Sequence, residues 1–350
     1  MREVAVVSFA QAPNVRRNVE HNEVEILSPV VREAMERSGI PKADIGFTCS
    51  GSSDYLAGQP FSFVTALDAV GAWPPIRESH VEMDGAWALY EAWVRLQHGD
   101  IDSALVYAYG KSSPGNIREI LSLQLDPYYV APLWPDAVDV AALQARALLD
   151  ATDFTEQDFA AVAARNRANA KANPNAQVAG DFDADELLSD DYLVSPLRKH
   201  DCPPISDGAA VIVMAAGDLA RDVCERPAWI SGIDHRIEAH GLGVRDLTTS
   251  PSTTLAAEKA GMNGNIDIAE LHAPFTHQEL ILRQALGLSE SVSINPSGGA
   301  LAANPVMVTG LIRIGEAAQR LIDGEAKTAL AHATSGPCLQ QNLVCMMRAA

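Results

Sequence analysis

The chain alternates short apolar runs with longer stretches whose apolar residues recur every three or four positions. Arg2–Ala10 is continuously apolar and β-branched and predicts a buried strand. Over Val24–Gly39 the apolar residues Val24, Ile26, Leu27, Val30, Val31, Ala34 and Met35 fall at helical spacing and end in Ser-Gly-Ile-Pro, a helix stop. The same reading predicts strands over Ile45–Ser50, Ser79–Met83 and Ser103–Tyr109, and helices over Phe61–Trp73 and Ala86–His98. From Ser112 to Pro204 prolines, polar residues and short helices dominate, which reads as an insertion. A core strand returns at Ala209–Ala216.

The second half repeats the order. Strands are expected over Ala228–Asp234, Ile266–His272, Val292–Asn295, Thr328–His332 and Leu343–Met347. Helices are expected over Ser252–Ala260, His277–Leu286 and Pro305–Leu321. Parallel strands need crossover connections and are buried on both faces, which accounts for the unbroken Ala/Val/Ile runs. The pattern predicts a duplicated α/β architecture: an N-terminal half over 1–217 carrying an insertion at about 112–204, and a C-terminal half over 218–350.

Composition narrows the function classes. Of 350 residues, 47% are hydrophobic and 20% charged, ordinary for a globular protein with a large core. The formal net charge of −19 argues against broad contact with nucleic acid or an anionic membrane, so any anionic ligand needs a local cationic cluster. No apolar run reaches the roughly 18 residues of a membrane helix, and the N-terminal stretch reads as a first strand rather than a signal peptide. Five cysteines without metal-type spacing point to a reduced, cytoplasmic setting with no metal site. His80, His240 and His332 have no metal partner at helical spacing.

Candidate chemistry concentrates in a few segments. Asn295-Pro-Ser-Gly-Gly-Ala lies between a strand and a helix, where glycines allow close backbone approach and free helix amides attract anions. About twenty residues earlier stands Glu270-Leu-His-Ala-Pro-Phe. Asn173-Pro-Asn-Ala-Gln, Cys202-Pro-Pro-Ile-Ser-Asp-Gly-Ala-Ala and the stretch Glu82–Gly99, with Gly85, Ala88, Leu89 and Gly99 in register, complete the set. In this order, over nearly the whole chain, these segments resemble the thiolase superfamily. The closest branch is the sterol-carrier-protein-type thiolases and the lipid-transfer thiolase-like proteins of actinobacteria. The resemblance implies a thiolase fold of two βαβαβαββ halves in five α-β-α-β-α layers, with a loop domain. It also implies a homodimer, or a heteromer with a second thiolase-like subunit.

The departures from that pattern shape the functional expectation. Where the family carries its nucleophilic cysteine, the matching register holds Glu82; Asp84 takes the place if the register is displaced by two. The family's second histidine falls on Asn304, while His272 is retained. Ser335 stands near the position of the second cysteine, with Cys338 three residues on. A carboxylate cannot form and discharge an acyl-thioester as a thiolate does. The resemblance therefore implies retro-aldol cleavage of a β-hydroxyacyl-CoA, such as a steroid side-chain ester. Glu82 would be the base, and His272 and Asn304 would stabilise the enolate oxygen. Coenzyme A enters as part of the substrate, with no separate cofactor. Its binding is expected from Arg165, Arg167 and Lys171 in the insertion and from Ser297, Gly298 and Gly299. A small OB-fold, zinc-ribbon protein is an expected partner on the same resemblance. Two other readings stand beside this one: an acyltransferase using Cys338 or a serine, and a non-catalytic acyl-CoA-binding subunit of a mixed assembly.

Overall fold

A computed structural model describes residues 2–350. Ten strands form one continuous sheet: β1 (Val4–Gln11), β2 (Phe47–Gly51), β3 (Glu78–Val81), β4 (Ser103–Lys111), β5 (Asp207–Ala216), β6 (Ala228–Ile237), β7 (Ile268–Leu271), β8 (Ser293–Ile294), β9 (Thr328–Ser335) and β10 (Gln341–Arg348). The principal helices are α1 (Glu23–Ser38), α2 (Gly85–His98), α3 (Ala137–Ala151), α4 (Glu156–Asn169), α5 (Pro251–Lys259), α6 (Thr276–Ala285) and α7 (Thr309–Ile322).

The sheet consists of two copies of one topology. In the first half the order is β3-β2-β4-β5-β1; in the second it is β8-β7-β9-β10-β6. Within each half the first three neighbours pair parallel and the last two pairings are antiparallel. Among the described residues the sheet passes from one half to the other through the pairs Ala5↔Trp229 and Val6↔Ala228, between β1 and β6. The duplication expected from the order of elements is thus also a duplication of strand order.

Two-residue periodicity sorts each strand's side chains between layers. On β5, Ala210, Ile212 and Met214 face the central core with α2 and α7, while Ala209, Val211 and Val213 pack outward with α1. On β9 and β10, Ala329, Ala331, Leu343 and Cys345 face the same central core, while Leu330 and Val344 pack with α3, α5 and α6. The result is five layers, α-β-α-β-α, with α2 and α7 in the middle one. This is the thiolase fold.

Local boundaries differ where capping and proline intervene. The expected helix over Phe61–Trp73 is shorter, Phe63–Val70, because Gly71 takes a left-handed conformation at its end. The helix expected from Pro305 begins at Thr309, after a turn in which Met307 has φ +71°. The chain leaves the sheet after Lys111 and rejoins it at Asp207, and α3 and α4 lie in between.

Candidate functional site

A cavity of about 790 Å³ opens between the inserted segment and the C-terminal half. His272, Asn304, Met307, the loop Ser335–Leu339 and Asp84 line its polar part. Apolar walls come from Ile117, Leu121, Leu125, Val138, Ala141 and Leu301.

His272 directly follows β7 and is buried. Its amide continues the sheet register by donating to the His332 carbonyl (3.2 Å). Nδ1 accepts the Thr334 amide at 3.4 Å, so the ring proton resides on Nε2. Burial, the neighbouring His332 and Arg313 push its pKa down to about 3, and the nearby Asn304 side chain opposes them only in part. The ring is therefore a neutral donor across the physiological range. Asn304 is held by its own amide, which donates to Ser206 Oγ (3.0 Å), and by its Oδ1, which accepts from Thr309 Oγ1 (2.9 Å). That leaves Nδ2 as its donating end.

The acidic position requires a correction. Glu82 is exposed, does not line the cavity, and accepts the Asp54 amide at 2.6 Å. Its carboxylate caps the short helix Asp54–Ala57 instead of facing a thioester. Two residues on, Asp84 is 2% exposed and does line the cavity. As the N-cap of α2 it accepts the Ala86 amide (2.8 Å), and it also accepts the Gly310 (2.9 Å) and Leu311 (3.1 Å) amides of α7. One carboxylate thereby clasps the N-termini of both central helices, where their dipoles favour negative charge. Gly310 is what admits it, since a Cβ there would lie 2.5 Å from Asp84 Oδ1. Burial nonetheless outweighs the three amides and raises the Asp84 pKa to about 6. The Gly85 amide is also taken, by the Met307 carbonyl (2.9 Å). The amides at the start of α2, which would activate a thiolate in a cysteine enzyme, are thus occupied.

The remaining predicted residues divide. Ser335 and Cys338 line the cavity. The Cys338 thiol, however, packs with Leu125 and Val140, approaches the Val140 carbonyl at 3.6 Å, and is pushed up to about 12 by burial. Half-buried Arg167 lines the cavity, stacked 5.0 Å over the Phe182 ring, and exposed Lys199 lines it too. Arg165 instead pairs with buried Glu279, and Lys171 with Asp181 (2.6 Å) at the surface; neither lines the cavity.

The Ser297-Gly298-Gly299 turn also lies outside the cavity lining. Ser297 bonds Glu270 through its amide (2.9 Å) and Oγ (2.7 Å), and Arg313 closes the group at 2.7 Å from Glu270. A Cβ on Gly298 would fall 2.6 Å from the Ala170 Cβ. Gly298 thus serves the packing of the C-terminal half on the inserted segment, and Gly299 makes room for the Asn295 side chain, whose Nδ2 would lie 2.7 Å from a Cβ there. Among the described residues no cluster of three or more His, Cys, Asp or Glu could hold a metal ion, and no helix is long and apolar enough to cross a membrane.

No protein-family model matches the chain. An acetyl-CoA acetyltransferase of Methanothermobacter thermautotrophicus is 28% identical over 229 residues, 56% of this chain and 59% of that protein. The chain thus spans about three fifths of that relative's length. A second acetyl-CoA acetyltransferase, of Methanocaldococcus jannaschii, is 24% identical and covers 90% of this chain and 89% of its own. Sterol carrier protein 2 of Bos taurus is 24% identical over 94% of this chain and 69% of its own length. Among solved structures, an Ltp2-ChsH2(DUF35) aldolase superposes with a TM-score of 0.81, at 20% identity, over 99% of this chain and 98% of that one.

Proposed function

We propose that this chain, whose homologues are thiolases and sterol-carrier-protein-2-type proteins and whose fold is theirs, cleaves a β-hydroxyacyl-CoA by a retro-aldol reaction without a covalent acyl-enzyme. The observation that carries the reading is the pairing of a neutral His272 donor with Asn304 over a cavity that contains a buried carboxylate where a thiol would be needed. The thioester carbonyl is placed against His272 Nε2–H and Asn304 Nδ2. Asp84 accepts the proton of the β-hydroxyl through the lone pair of Oδ2 that its amide contact leaves free. The Cα–Cβ bond breaks, its electron pair forms the enolate of the shorter acyl-CoA, and the β-carbon departs as an aldehyde or ketone. The enolate then takes up a proton. Negative charge develops on the thioester oxygen, where each fixed donor in a water-poor site is worth about 3 kcal/mol.

The apolar walls suit a bulky acyl group, a steroid side chain among the candidates, and Arg167 and Lys199 in the lining suit the phosphates of coenzyme A. A thiol held near 12 at Cys338 speaks against the acyltransferase reading.

Work in an assembly is favoured by one further feature. Phe61 and Trp73, which precede the edge strand β3 in the chain, and Leu123, Tyr128, Tyr129, Leu133 and Trp134 of the inserted segment, which also supplies Ser122, Gln124 and Leu125 to the cavity lining, are 70–84% exposed. This supports a second thiolase-like subunit, in a homodimer or heteromer, with an OB-fold protein as an additional partner to be tested.

The experiment is incubation of the purified protein with β-hydroxyacyl-CoA esters, alone and with a co-expressed OB-fold, zinc-ribbon protein. Release of a carbonyl product and a shortened acyl-CoA is expected, abolished by His272→Ala. Folded protein that yields neither product under both conditions refutes the proposal. Unchanged turnover of a mixed complex after His272→Ala assigns this chain to assembly alone.

A further inference from the structure

The loop between β9 and β10 is held in an unusual backbone conformation by a residue outside the cavity. Gly336, Cys338 and Leu339 have φ of +74°, +53° and +57°. Left-handed backbone is disfavoured for a non-glycine residue, so two in succession persist only where their surroundings over-determine them. Here the surroundings hold three consecutive carbonyls. Arg245 donates through Nη2 to the Pro337 carbonyl (3.0 Å) and through Nη1 to the Cys338 carbonyl (3.2 Å). Asn342 Nδ2 donates to the Leu339 carbonyl (2.8 Å), and its Oδ1 is in turn hydrogen-bonded to the ring of buried His332 (3.0 Å).

Residues 335–339 all line the cavity, whereas Arg245 does not. The Pro337 and Cys338 carbonyls are thus directed at a guanidinium that is not part of the cavity lining. In a planar trans peptide the N–H lies opposite the C=O. The Cys338 amide therefore lies opposite the Pro337 carbonyl that Arg245 holds, and among the described residues it donates to no acceptor. A cation bonded to the carbonyl end of a peptide also polarises that peptide's N–H, strengthening it as a donor. Half-buried Arg245 has no carboxylate within ion-pair distance among the described residues, so its charge acts on these two peptides.

We infer that Arg245 is a positioning residue, which holds and polarises the Ser335–Leu339 loop so that the Cys338 amide joins His272 and Asn304 in stabilising negative charge on a thioester oxygen. This rests on the reading of the cavity as a thioester site. It adds a determinant drawn from a loop that supplies no group to the cavity itself.

The test compares two coenzyme A thioethers by calorimetry. S-carboxymethyl-CoA carries a negative oxygen close to where an enolate would hold it; S-acetonyl-CoA is an uncharged ketone of similar size. Arg245→Ala is expected to weaken the carboxylate ligand by about tenfold or more, as for loss of a hydrogen bond to a charged group, and the ketone by less than about twofold. Arg245→Lys, which retains charge but cannot bridge two carbonyls, is expected to fall between. It serves as the test if the alanine variant does not fold. Equal weakening of both ligands, or of neither, overturns the inference and leaves the thioester site standing. Wild-type protein that binds neither ligand overturns both.

Discussion

The two halves share one strand order and use it oppositely. The C-terminal half buries its polar chemistry. Glu270 and Arg313 pair at 2.7 Å in its core, and His272, His277 and His332 are all enclosed there. The N-terminal half ends in β3, an edge strand only partly buried, with large apolar side chains exposed nearby. At equivalent strand ends, Ser52 follows β2 and His272 follows β7. At equivalent helix starts, Asp84 precedes α2 while Gly310 lies in the first turn of α7, leaving room for that carboxylate. Duplicated topology thus supplies two matching frames; side-chain identity encloses the histidines in one and leaves large apolar rings exposed on the other, while Asp84 of the N-terminal half reaches across to the amides of α7.

This contrast can be broken from the C-terminal side first. Glu270→Ala leaves Arg313 buried without its carboxylate, and a loss of about 3–5 kcal/mol is expected in urea unfolding. A loss below about 1 kcal/mol would mean that the buried pair does not hold this half together.

Acid is the next largest lever. His272 and His277 are depressed to about 3 and His332 to about 4, chiefly by burial, against 6.5 for an unfolded chain. Unfolding therefore takes up protons below pH 6.5. The stability these rings contribute is fully present above that value and is lost as pH falls toward their folded values. Asp84, raised from 3.8 to about 6, works the other way: its contribution is present at low pH and lost as pH rises through 6. Together these four groups should lower the unfolding free energy by about 4 kcal/mol from pH 7 to pH 5. A flat profile would contradict the burial of neutral imidazoles.

At the junction of the halves, Asp84→Ala strands three helix amides and should cost about 2–3 kcal/mol. Asp84→Asn, with one acceptor oxygen, should cost less and flatten the carboxyl part of the pH profile. Equal stability of the aspartate and alanine proteins would remove the clasp from the account. The smallest effect on stability belongs to the N-terminal surface. Trp134→Ser with Tyr128→Ser should shift unfolding by no more than about 0.5 kcal/mol, yet reduce self-association or capture of a second thiolase-like chain in sedimentation. Loss of stability without loss of association would show that these rings pack within the chain.

Much of this contrast was legible beforehand. His272 stood out because a histidine ends an apolar strand run in a recognisable motif, and the structure places it on the cavity together with Asn304. The acid was less legible. Glu82 and Asp84 flank one methionine, and the register of the family resemblance favours the former, but an aspartate immediately before a helix turns its short side chain back onto the helix amides. The preceding glutamate reaches the other way, to the Asp54 amide. The Asp-Gly pair at the helix start was the available signal. The glycine-rich turn misled for a related reason: tight turns look alike whether they make room for a ligand or for a neighbouring helix.

By itself the sequence determined the order of strands and helices, the duplication, and that the strands are buried on both faces. Those follow from local periods of two and 3.6 residues and from caps that act within a few positions. Tertiary structure alone decided which carboxylate enters the cavity and which basic residue remains available to a ligand. Arg165 is occupied by Glu279, 114 positions away, and the cavity-lining loop takes its shape from Arg245, more than 90 positions before it. Electrostatic pairing depends on distance in space, which the spacing of residues along the chain does not encode.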